Sequence, residues 1–61
     1  MTIYEVNNTY YIKQSNLYFV CDVTIKNHTI VVTPTSDFIE ELPITYKEYT
    51  YQELKDRLLG D

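Results

Sequence analysis

From Leu17 to Lys26 the chain alternates without a break. Leu17, Phe19, Cys21, Val23 and Ile25 fall on one side, and Tyr18, Val20, Asp22, Thr24 and Lys26 fall on the other. A helix, turning every 3.6 residues, would scatter the first set around its circumference. A strand, with its period of two, lines them up on one face. Ten residues of strand reach about 33 Å. That is long for a chain of 61 residues, so the rest must organise around this strand.

Turn chemistry on either side sets the register. Asn27-His28 read as a two-residue hairpin loop pairs Ile25 with Ile30 and Val23 with Val32. Asn tolerates the left-handed backbone that tight hairpins require, and two-residue loops are the commonest kind. Ser15-Asn16 as a second such loop pairs Ile12 with Phe19 and Tyr10 with Cys21. Asn7-Asn8 as a third pairs Ile3 with Ile12 and Glu5 with Tyr10. Together the three turns place Ile3, Ile12, Phe19, Cys21, Val23, Ile25, Ile30 and Val32 on one face. A one-residue slip at any turn would destroy that agreement. Glu5 on the same face is a misfit, tolerable near a sheet edge.

The second half is less regular. Pro34 is expected to end the last strand of the meander. Asp37 to Leu42 reads as a short helical turn, capped by Ser36 or Asp37 and stopped by Pro43. Residues 44–49 fit either a fifth strand or an extended linker. Thr50-Tyr51-Gln52-Glu53 has the capping-box pattern, and Tyr51, Leu54 and Leu58 follow at helical spacing. Glu53 and Arg57 stand at i and i+4, and Gly60 suits a helix end. The expectation is a single α+β domain over residues 1–61. It comprises a four-stranded antiparallel β-meander, a possible fifth strand at 44–49, and a C-terminal helix at about 50–59 packed on one face.

So short a chain buries little surface and usually needs reinforcement. Cys21 is the sole cysteine and His28 the sole histidine, so neither an intrachain disulfide nor a closed Cys/His zinc site is available. Self-association becomes the expected reinforcement, and a homodimer the expected state. No segment approaches the roughly 18 apolar residues of a membrane span. Met1 to Glu5 lacks the basic start and apolar run of a secretion signal. The expected location is therefore cytoplasmic, without membrane attachment and with Cys21 reduced.

The parts for catalysis are missing. His28 falls in a turn, where a solvated imidazole is the plain reading. Cys21 falls on the core face, where free cysteine is usually inert. Gly60, the only glycine, cannot form a phosphate-cradling loop. Adjacent Glu40 and Glu41 would diverge by about 100° on a helix. No catalytic role, cofactor or metal is therefore expected.

Two surfaces remain as candidates for binding. The register places Tyr4, Tyr11 and Val20 side by side on the second face of the sheet, with Tyr18 opposite Lys13 and Val31 opposite Thr24. One helix cannot cover both faces. The patch Tyr4, Tyr11, Tyr18, Val20 and Val31 must then be a homodimer interface, a surface for a foreign partner, or a second small core beneath residues 34–49. Stacking of nucleic-acid bases on this face is disfavoured, because it carries only Lys13 and Lys26 as cations. The second candidate is charge. The net charge of −4 lies wholly in residues 37–61. Its acidic set Asp37, Glu40, Glu41, Glu48, Glu53 and Asp56 is either a solvated face or a negative strip that occupies a basic groove on another protein. Acidity also counts against a phosphate-backbone partner.

The expected function is that of a small acidic protein-binding module that modulates or inhibits a larger protein. The alternatives are a nucleic-acid accessory protein using the Tyr face and a structural or assembly subunit. The chain has no alanine and is rich in Tyr, Ile, Asn and Thr. In that style it is similar to accessory proteins of bacteriophages and mobile elements, which implies a host-takeover or anti-defence role and a larger host protein as partner.

Overall fold

The computed structural model describes residues 1–60. Five strands and one helix follow in the order β1 (Thr2–Val6), β2 (Thr9–Gln14), β3 (Leu17–Lys26), β4 (Thr29–Ile39), β5 (Lys47–Thr50) and α1 (Tyr51–Leu59). They form one antiparallel sheet, ordered β4-β3-β2-β1-β5, with α1 packed against it. The first four strands are the expected meander, and the possible fifth strand is real but shorter, joining β1 at the edge.

Each hairpin loop has both residues in the left-handed region. The φ angles are 49° and 68° at Asn7 and Asn8, 52° and 64° at Ser15 and Asn16, and 51° and 60° at Asn27 and His28. That is the requirement of the type I′ turn, whose twist matches that of the flanking strands. The pairing follows: Glu5 opposes Tyr10, Tyr10 opposes Cys21, Ile12 opposes Phe19, Val23 opposes Val32 and Ile25 opposes Ile30.

Two expectations for β4 are corrected. Pro34 does not end the strand, and Asp37 to Leu42 does not form a helical turn; β4 runs on to Ile39. Pro34 is tolerated because β4 is an edge strand, where a missing N–H need cost no ladder bond. Beyond it the register shifts: Cys21 opposes Pro34, but Phe19 opposes Phe38. Two extra residues of β4 are thus accommodated opposite Val20. Thr35 holds this bulge. Its hydroxyl donates to the Val20 carbonyl at 2.9 Å and accepts the Asp37 N–H at 3.2 Å. The shift is even, so side-chain alternation survives, and Phe38 returns to the face of Phe19, with the rings 5.7 Å apart.

The core is small. Ile3, Ile30 and Leu54 form its buried centre, with Tyr10, Ile12, Val23, Val32, Tyr49, Tyr51 and Leu58 packed against it. Ile3 on β1 and Ile30 on β4 lie three strand spacings apart, about 14 Å in a flat sheet. Leu54 joins them in one cluster, so the sheet curls around the helix. Tyr51 fastens the curl: its hydroxyl donates to the Ile30 carbonyl at 2.6 Å and lies 2.8 Å from the Thr29 hydroxyl. Val23 joins this core as its face requires. Phe19 stands outside it, half-buried, with Phe38 as its neighbour.

The helix starts where the capping box places it. The Glu53 N–H donates to the Thr50 hydroxyl at 3.1 Å, and the Thr50 N–H donates to the Glu53 carboxylate at 2.9 Å. Glu53 is thereby drawn away from Arg57, whose guanidinium lies 5.6 Å from the centre of the Tyr49 ring. Gly60, at φ 77°, closes the helix through its N–H to the Asp56 carbonyl. Among the described residues, no helix is long and apolar enough to cross a membrane.

Candidate partner-docking site

β4 and β5 occupy opposite edges of the sheet, so residues 40–46 must cross the three strands between them. The crossing begins beside Tyr18, which Ile39 opposes, and ends at Lys47, which opposes Glu5. The segment takes the Tyr-bearing face, because α1 already occupies the other. A turn closed by the Tyr46 N–H to the Pro43 carbonyl at 3.1 Å folds the strap down onto β1. There the Tyr46 ring meets Tyr4 at 5.8 Å with an interplanar angle of 67°. Tyr4 in turn meets Tyr18 edge-on, at 5.4 Å and 89°.

Strap and sheet border an open recess of about 340 Å³ lined by Tyr4, Tyr18, Glu40, Glu41, Leu42, Tyr46 and Glu48. Glu48 reaches it because it opposes Tyr4 on β5 and so projects from the Tyr face. Glu48 also lines a smaller neighbouring recess with Glu53. Burial, then the Glu48 carboxylate, then the Tyr18 and Tyr46 phenols raise the Tyr4 hydroxyl above its ordinary pKa of 10.0.

The sequence-derived patch divides under the strap. Tyr4 and Tyr18 become walls of the recess. Tyr11 and Val20, which oppose each other on β2 and β3, lie outside it and are half-buried. Val31 is exposed near the far end of the long hairpin. The acidic set divides too. Glu40, Glu41 and Glu48 converge on the recess and Glu53 adjoins it. Asp37 belongs to the β4 bulge, and Asp56 accepts a hydrogen bond from Gln52 at 2.8 Å on the helix. Sequence periodicity did not reveal Leu42 and Tyr46 as site residues, since neither lies in a regular element. The signal that could have found them was topological: a fifth strand beside β1 forces the connection to cross a face.

On the helix side, a second recess of about 310 Å³ is lined by Glu5, Asn7, Asn8, Thr45, Lys47 and Arg57. It explains how Glu5 can be only 7 % exposed on the core face. β1 lies next to the edge strand β5, so Glu5 is near a sheet edge as expected. There it accepts a hydrogen bond from the Tyr49 hydroxyl at 3.3 Å, with Lys47 opposite it in the sheet. Charges of both signs line this recess, so this side offers no single-signed surface. Cys21 is buried, and burial pushes its thiol above the ordinary value of 9.0. His28 is exposed at its turn. Among the described residues, no group of three or more His, Cys, Asp or Glu is placed to hold a metal ion. No protein-family model, curated protein or solved structure matches this chain.

Proposed function

We propose that the protein is a small acidic binding module that docks onto a larger protein through the strap side of its sheet, and that docking modulates or inhibits that partner. The supporting observation is the convergence, from β1, β3, β5 and the strap, of three tyrosines and three glutamates around one recess. The rest of the strap suits an interface as well. Ile44, at its turn, is 96 % exposed, a large apolar side chain with no intramolecular use. The partner surface that complements this arrangement is basic, with an apolar contact for Ile44. The carboxylates repel phosphates, so the same geometry weighs against the nucleic-acid reading despite the aromatic rings. A host-takeover or anti-defence role, in the manner of phage accessory proteins, is the biological form this reading takes.

Self-association is a second reading, favoured by a separate observation. Ile25 and Phe38 are 59 % and 51 % exposed on the core face, beyond the reach of the helix. A second copy would supply burial that so small a core lacks.

Affinity capture tests the docking reading when wild type is run beside the Glu40→Gln, Glu41→Gln, Glu48→Gln triple variant. A protein retained by wild type should be lost with the variant and with rising salt, while labelled oligonucleotides bind neither. Equal retention by the folded variant, or oligonucleotide binding by the wild type, would contradict the reading.

A further inference from the structure

We propose that the strap recess is a receptor for an organic cation, namely the guanidinium or ammonium head of a basic side chain presented by the protein partner. This deepens the docking reading and depends on it only for who carries the cation. The chemistry of the recess supports it independently. A cation is attracted to the π face of a tyrosine ring by the ring quadrupole, and more strongly where water is displaced. Tyr4 is in edge contact with both Tyr18 and Tyr46, at 5.4 Å and 5.8 Å between centroids. Tyr4, Tyr18 and Tyr46 all line the recess, so it offers aromatic surface as well as phenol oxygens. Glu40, Glu41 and Glu48 add carboxylates at its rim. An anion entering would meet repulsion from all three, and a neutral apolar group would leave them without a counter-charge. A flat guanidinium or a compact ammonium satisfies both the rings and the carboxylates.

The chain supplies one instance of the same attraction. The Lys13 ammonium lies 5.7 Å from the centre of the Tyr18 ring. Lys13 is exposed and opposes Tyr18 on the neighbouring strand, so this ring already draws a cation from outside the recess. Among the described residues, no lysine or arginine lines the recess itself.

The test is a titration of the intact protein, followed by the ring-proton NMR signals of Tyr4, Tyr18 and Tyr46. The probe is N-acetyl-arginine methylamide; the control is the citrulline derivative, which keeps the shape and loses the charge. The arginine probe should give saturable shifts at millimolar concentration, and citrulline none. Glu48→Gln should weaken binding roughly 2- to 10-fold, the scale of one partly exposed charge contact. Tyr46→Leu, on the exposed strap and therefore safe for folding, should weaken it by a similar factor. Equal shifts from citrulline, or unaltered affinity in both variants, would overturn the proposal. The two readings can fail separately. Arginine binding with glutamate-independent partner capture would sink the docking reading alone. Glutamate-dependent capture without arginine binding would sink the cation receptor alone.

Discussion

At the scale of single residues, six residues with left-handed backbone carry the topology, and none of them is glycine. Left-handed backbone costs an L-residue about 1–2 kcal/mol, with Asn the most tolerant after glycine. His28, at φ 60°, bears this cost with its side chain in solvent. His28→Gly converts the loop to Asn-Gly, the preferred type I′ pair, and should stabilise the fold by about 0.5–1 kcal/mol. Urea denaturation checks this; a lowered midpoint would show that the imidazole has a structural role. The buried Cys21 and the half-buried Tyr4 and Tyr10 give a second prediction. Burial raises the Cys21 thiol and, with Glu5 acting in the same direction, the Tyr10 phenol; Tyr4 is raised likewise. In each case the neutral form is favoured in the folded state. The associated stability is complete below the ordinary values of 9.0 and 10.0, and is lost as pH rises through the higher folded values. The denaturation midpoint should therefore fall above about pH 9, and Tyr10→Phe should flatten the decline beyond the phenol value. An equally steep decline in that variant would assign the loss elsewhere.

At the scale of elements, what was legible in the sequence was whatever two independent local signals agreed on. Alternation and turn chemistry both fixed the β1–β4 pairings, and the capping box and apolar spacing both fixed α1. What was not legible depended on position in the sheet. Pro34 is a breaker only where its missing N–H is needed, and at the edge position that the meander itself gives β4 it is not needed. A local reading could not see that two extra residues would be absorbed opposite Val20, since the even shift leaves the alternation intact. Thr35 is the residue that makes this possible. Thr35→Val keeps the shape but removes a donor and an acceptor. It should cost about 1–2 kcal/mol and speed hydrogen exchange at the Asp37 amide. Unchanged stability and exchange would mean that the bulge is held by backbone alone.

At the scale of the whole molecule, the candidate site was half legible. Period two correctly placed Tyr4, Tyr11, Tyr18, Val20 and Val31 on one face and showed that the helix could not cover it. Cover by residues 34–49 was one of the three alternatives the sequence left open. What the pattern could not show was the path of residues 40–46, which have no periodicity and whose course follows from the edge positions of β4 and β5. The strap turns a flat aromatic patch into a recess and brings Glu40, Glu41 and Glu48 to it, while Asp37 and Asp56 go elsewhere. The central claim is that this side of the molecule meets a partner. Photocrosslinking tests it most directly, with a photoreactive residue placed at Ile44 and, as control, at the exposed His28. The account predicts one adduct from position 44, larger than two 7.3 kDa copies, suppressed by the Glu40, Glu41 and Glu48 substitutions and absent from position 28. An adduct of two copies would instead identify the strap as a self-association surface. Adducts from position 28 with none from position 44 would contradict the account.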